Sequence, residues 1–217
     1  MIFVNPTLPN LADFATFVYG QGVPQANLPS GILTTVTIDA SGNLSASSIS
    51  GTVSAGDILY GTGIPPETFI LTWNGASGTV TPVPSSPVSV SSVQALSPYL
   101  GSSFDYAVGR VMSGSGMIPA TLYVRAVYNL GMHQLLKDAQ DVPSYTFFSD
   151  ARATYKLNDF LGGVITASSD QNTAQTIQVG EPLKGLGISN LDLLKTPWGV
   201  KYAGYAMEYG PYVVGMT

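Results

Sequence analysis

Residues 31–93, "GILTTVTIDASGNLSASSISGTVSAGDILYGTGIPPETFILTWNGASGTVTPVPSSPVSVSSV", decide how the rest of the chain must be read. Short β-branched runs alternate with Gly, Pro, Asn and Ser, the punctuation of several short strands joined by tight turns. The pattern predicts strands near 33–38, 44–49, 57–60, 67–73, 78–83 and 88–93. The whole block from 31 to 96 holds three acids and no base. It reads as an all-β unit, sandwich- or barrel-like, inserted at 31–96 into a chain of different texture.

On both sides of it the period becomes helical. "PNLADFATFVYG" (9–20) offers Asn10 as cap, Asp13 in the first turn, and Leu11, Phe14, Ala15 and Val18 on one face. "SPYLGSSFDYAVGRVM" (97–112) has Ser97 as cap and Pro98 at the first helical position, with Leu100, Phe104, Val108 and Val111 as its apolar face. "SGSGM" (113–117) reads as a turn. "IPATLYVRAVYNLGMHQLLKDAQD" (118–141) predicts a long helix opened by Pro119, with a stripe of Leu122, Ala126, Leu130, His133 and Leu136. "FSDARATYKLNDFLGG" (148–163) predicts another, capped by Ser149 and stopped at Gly162–Gly163. "VITA" and "TIQV" flank "SSDQNTAQ" (168–175) as a short hairpin. Ser189 to Asp192 resembles a capping box, and Thr196–Pro197 opens a last helix that Gly210–Pro211 closes. The expected class is therefore α+β: a mainly α-helical bundle domain with a small hairpin, residues 1–30 and 97–217, interrupted by the β domain 31–96.

Composition narrows the function. Across 217 residues, 45% are hydrophobic and 10% charged, with 24 Gly, 15 Pro and no Cys. Such a chain can build a core, and it carries neither a disulfide framework nor thiolate chemistry. No run approaches the roughly 18 apolar residues of a membrane helix, and "MIFVNPTLPN" lacks the basic start and cleavage site of a signal peptide. No Lys or Arg precedes Arg110, whereas the remainder balances eight bases against eight acids. Gripping nucleic acid requires clustered cations, so tight DNA binding is not expected, although DNA could slide past such a surface.

The residues offer no catalytic constellation. His133 is the single histidine and lies inside an apolar stripe, so the reading is a structural imidazole held by one hydrogen bond. No nucleophile elbow, phosphate-binding loop or His/Cys cluster is present. Asp39, Ser41 and Asn43 have the spacing of a calcium loop's start, but Ser50 stands where its closing Glu belongs, and a hairpin turn fits better. No enzyme activity, metal or cofactor is expected.

The closing third carries a resemblance. "FFSDARATYKLNDFLGGVITASSDQNTAQTIQVGEPLKGLGISNLDLLKTPWGVKYAGYAMEYGP" (147–211), with "YVRAVYNLGMHQLL" before it, resembles the head–tail adaptor (connector, head-completion) proteins of tailed bacteriophages. The signature is the closing T-P-W-G-x-x-Y: Thr196, Pro197, Trp198, Gly199 and Tyr202. The likeness covers about 150 residues of the helical part. Residues 53–90 resemble the small β modules of phage virion proteins, a departure from the plain adaptor pattern.

This resemblance implies a non-enzymatic virion structural protein made in the host cytoplasm and sited at the neck, the head–tail junction. It implies a homo-oligomeric ring of twelve copies below the portal. Such a ring contacts the portal protein and the tail or further neck proteins, extends the DNA channel, and passes genomic DNA without specific binding; no membrane is involved. Low charge suits a chain covered on two flanks by neighbours, and a neutral-to-acidic lumen would not retain phosphates. The other reading is a decoration or receptor-binding protein whose β module binds capsid, tail or host glycan. On the last helix Trp198, Tyr202, Ala206 and Tyr209 are placed to pack inward, leaving Tyr205 and Met207 for a neighbour. Tyr212, Val213, Val214 and Met216 follow the helix stop as an uncharged apolar segment. They are expected to dock on the portal or a subunit by strand addition or groove insertion.

Overall fold

The computed structural model describes residues 3–111, 118–159, 168–170, 173–175 and 192–209. Helix α1 (Leu11–Gly20) precedes six strands: β1 (Gly31–Ile38), β2 (Asn43–Gly51), β3 (Ile58–Tyr60), β4 (Thr68–Trp73), β5 (Ser77–Thr81) and β6 (Val88–Leu96). Then come α2 (Pro98–Arg110), α3 (Ala120–Asp138), α4 (Phe147–Thr154), the strand pair β7 (Ser168–Asp170) and β8 (Thr173–Gln175), and α5 (Pro197–Tyr209).

All six expected strands exist, and they close on themselves. The order is β1-β2-β5-β4-β3-β6, every neighbour antiparallel, with β6 returning to β1. Of the two forms expected for the block, it is the barrel. Closure removes most of the unpaired edge that a sheet of short strands would otherwise expose. The interior is filled by Leu33, Val36, Ile38, Leu44, Leu59, Ile70, Val80, Val93 and Ala95. The β1–β2 connection is a polar turn in which the Asp39 carboxylate accepts from Ser41 N–H at 2.8 Å and Asn43 N–H at 2.9 Å. All three residues of the calcium-like spacing therefore serve the turn. In β1, Thr34 and Thr35 both face outward, and Thr35 takes φ +49°. This left-handed step in a β-branched residue interrupts the alternation, so Leu33 and Val36 can both point in.

The expectation of a mainly helical bundle carrying an insertion is overturned. The closed barrel is a principal body of the fold, and the helices use it as a wall of their own core. Ile58 of β3 and Leu96 of β6 belong to the same buried cluster as Phe14, Leu100, Val127, Tyr128, Met132 and Leu135. Contact is close at Gly101 on α2: a Cβ there would sit 1.9 Å from Ile58 Cδ1. Only glycine lets helix and barrel approach this far. The local signals said strand and helix correctly, but a cluster joining residues 14, 58, 96 and 132 leaves no local trace.

Three further readings change. Helix α3 is not amphipathic with one stripe: Ala126 through His133 are all buried, because α1, α2 and α5 pack around it. Helix α4 is capped from a distance rather than by Ser149. The Asp141 carboxylate accepts from Phe148 N–H at 2.7 Å and Ser149 N–H at 2.8 Å, and the Ser149 hydroxyl donates back to the Thr146 carbonyl. The strands of the short hairpin lie within the polar stretch, Ser168 pairing Gln175 and Asp170 pairing Thr173. The flanking "VITA" and "TIQV", the 113–117 turn and the stops at Gly162–Gly163 and Gly210–Pro211 lie outside the described residues.

Candidate functional site

The residues of the T-P-W-G-x-x-Y signature meet where α5 begins, against the C-terminal half of α3. Pro197 occupies the first position of α5, where its missing N–H leaves nothing unsatisfied. Thr196 caps the helix: its Oγ1 accepts the Gly199 N–H at 3.0 Å. The same oxygen lies 2.8 Å from His133 Nδ1 on α3. Because Thr196 Oγ1 already accepts from Gly199, its own proton is free to go to Nδ1. The imidazole Nε2–H then faces Asp192 Oδ2, 3.8 Å away.

Asp192 draws the surrounding cations together. Its Oδ2 lies 2.5 Å from Lys137 Nζ, and its Oδ1 lies 3.3 Å from Lys195 Nζ. Lys195 also donates to the Asp159 carbonyl at 2.9 Å, tying in the segment after α4. Partial burial pulls the Asp192 carboxyl upward, but the hydrogen bonds and charges of Lys137 and Lys195 outweigh it and hold the group below the usual carboxylate range. Burial pushes the His133 imidazole down to about 4, and Asp192 only partly offsets this, so His133 is neutral at pH 7.

The series Asp192, His133, Thr196 has the order of a charge-relay triad, but its geometry serves support. Thr196 is 1% exposed and its oxygen is committed to the helix cap. A nucleophile must meet substrate; this hydroxyl meets a backbone amide. The structural reading of His133 thus has a stated partner.

The other signature residues complete the joint. Gly199 passes so close to the chain before it that a Cβ would lie 2.0 Å from the Leu193 carbonyl oxygen. Trp198 Nε1–H donates to Gln21 Oε1 at 3.0 Å, and its ring meets Tyr155 edge-on with centroids 6.0 Å apart. Tyr202 is 3% exposed, and burial raises its phenol to about 12. Tyr205 is half-buried against the helical core, whereas Met207 is 61% exposed. Tyr212, Val213, Val214 and Met216 lie outside the described residues.

Sequence reasoning missed Lys137, Asp192 and Lys195 as one network, and missed Val200. Val200 is 47% exposed and lies seven residues before Met207, hence on the same outward face of α5. No spacing rule links residues 137 and 192. The exposed Val200–Met207 face was legible at helical period, once the inward face was known.

Among the described residues, no group of three or more His, Cys, Asp or Glu is placed to hold a metal ion, and no helix is long and apolar enough to cross a membrane. Comparison of the chain with protein families, with curated proteins and with solved structures finds no match in any of the three.

Proposed function

We propose that this chain is a virion structural protein, a head–tail adaptor that assembles as a twelve-copy ring below the portal. The ring would extend the DNA channel and offer the docking surface for the tail. One observation carries the reading. Every residue of the adaptor-like signature has a defined part in a single rigid joint: Thr196 caps and binds His133, Pro197 opens the helix, Trp198 reaches α1's end, Gly199 clears Leu193, and Tyr202 fills the core. Such a joint fixes the direction of α5, and with it the exposed face of Val200 and Met207. Charge supports the same reading, because the β block presents Ser and Thr outward and contains no cation. Electron micrographs of the purified protein test it: a ring with a central channel is expected, and a uniformly monomeric particle at high concentration would overturn it.

A second reading rests on the barrel mouth. There a cavity of about 540 Å³ is lined by Thr37, Asp39, Asn43, Ser45, Ser77 and Ser89, among other residues. Hydroxyls, an amide and one carboxylate around an opening that holds no cation suit a sugar, which would make this a decoration or receptor-binding module. Glycan-array binding lost on Asn43→Ala would favour it over the adaptor.

A further inference from the structure

The barrel is closed, but one strand overhangs it. β2 pairs with β1 from Leu44 to Gly51, whereas on its other side it pairs with β5 only from Asn43 to Ser45. A last bond joins Ala46 N–H to the Ala76 carbonyl, where the β4–β5 turn ends the neighbour. Among the described residues, nothing pairs with that side of Ser47, Ser48, Ile49, Ser50 and Gly51, and all five are exposed. Folded proteins usually guard such an edge with Lys, Pro or an inward charge. This one has none. Ile49 marks the gap: it stands opposite Leu33, which is wholly buried, yet is itself 37% exposed. Cross-strand partners share a face, so Ile49 points toward the core at a place where no strand covers it.

The chain holds a segment of matching chemistry. Residues 211–217, "PYVVGMT", carry no charged side chain and two adjacent β-branched valines, and they follow α5 directly. The reach available from the end of α5 argues against the same molecule's β2. Helix α2 leaves the barrel at Gly101 and ends at Arg110; with 13 residues it rises roughly 20 Å. Helix α5 starts beside His133, and its Tyr202 lies in the field of Tyr106 and Arg110 near the far end of α2. It therefore runs away from the barrel. From Tyr209 to Met216 the chain can span at most about 25 Å. Retracing the helical layer would use most of that reach and leave little to pair.

We propose that residues 211–216 of one copy add as a strand to the open β2 edge, Ser47–Gly51, of a neighbouring copy. Backbone hydrogen bonds supply affinity, and Val213 or Val214 covers Ile49. This rests on the ring reading, since it supplies the link between adjacent subunits.

The absence of cysteine makes the test direct. A chain carrying Ser48→Cys is mixed with one carrying Val213→Cys or Val214→Cys, one for each face of an extended segment, under mild oxidation, while mass photometry reports the assembly state separately. A disulfide-linked mixed dimer is expected as the dominant product. It should fall at least tenfold when Ile49→Lys is added to the Ser48→Cys chain, with circular dichroism checking that this variant still folds. Truncation after Gly210 should dissociate the assembly. No mixed dimer from a protein that still forms rings overturns the strand addition and leaves the adaptor reading intact. No mixed dimer from a monomeric protein overturns both. A disulfide formed only within one chain, in the Ser48→Cys/Val213→Cys double variant, assigns the segment to its own barrel and also overturns it.

Discussion

His133 Nδ1 on α3 and Thr196 Oγ1 before α5 lie 2.8 Å apart, and the same threonine oxygen holds the Gly199 amide. One hydroxyl thus closes a helix cap and satisfies a buried ring. Removing it should be felt twice. Thr196→Val keeps the shape but orphans both the Gly199 N–H and the imidazole nitrogen, so a loss of roughly 2–4 kcal/mol is expected. Thr196→Ser should retain most of the stability. Urea unfolding of both variants checks this, and equal losses would show that the hydroxyl contributes nothing.

The pH dependence carries two opposed slopes. His133, buried among Lys137, Asp138, Asp192 and Lys195, has its folded pKa lowered from 6.5 to about 4 by burial first of all. The folded state therefore binds this proton less readily than the unfolded chain. Its stability is full above 6.5 and falls as pH drops toward 4, by up to roughly 3 kcal/mol. Asp57 behaves oppositely. Burial raises its carboxyl to about 6, against a hydrogen bond from the Ser54 N–H, so the fold gains from protonating it as pH falls through 6. His133→Gln should therefore flatten the acid-side loss, and Asp57→Asn should steepen it. Thermal melts at pH 4.5 and 7.5 separate the two.

Two glycines clear different kinds of neighbour, and their variants should differ in rescue. At Gly101 a new Cβ meets Ile58 Cδ1, the far end of a side chain. Gly101→Ala should cost about 1–3 kcal/mol, and Ile58→Val, which removes that atom, should recover much of it. At Gly199 the obstacle is the Leu193 carbonyl. Gly199→Ala should cost at least as much and resist rescue by any substitution at Leu193. Double-mutant cycles from denaturant melts read this out.

Replacing residues 31–96 with a Gly/Ser linker tests how far the barrel supports the helices. Ile58 and Leu96 leave the helical core, and the partly buried Tyr60 and Phe69 go with them. Losing two buried aliphatic side chains amounts to roughly 4 kcal/mol or more. Circular dichroism should retain helical signal while Tm falls by about 10 °C or more. An unchanged Tm would mean the barrel only rides on the helical layer.

Much of this protein was legible in its sequence because the deciding physics is local. The barrel strands are short apolar or Ser/Thr-rich runs set apart by Gly, Pro, Asn or Asp, so all six could be placed. Asp39 with Ser41 and Asn43 specified a hairpin turn through short-range carboxylate–amide bonds. Pro197 behind Thr196 marked the start of α5, and the lone histidine within an apolar run pointed to burial. Tertiary structure decided whatever depended on residues distant in the chain. It closed six strands into a barrel, set Gly101 against Ile58, buried the middle of α3 on every side, and gave the Asp141 carboxylate to a helix beginning six residues later. It also drew Lys137, Asp192 and Lys195 around His133. Propensity and periodicity act over a few residues, whereas packing and buried ion pairs join whichever groups the folded chain brings within a few ångströms.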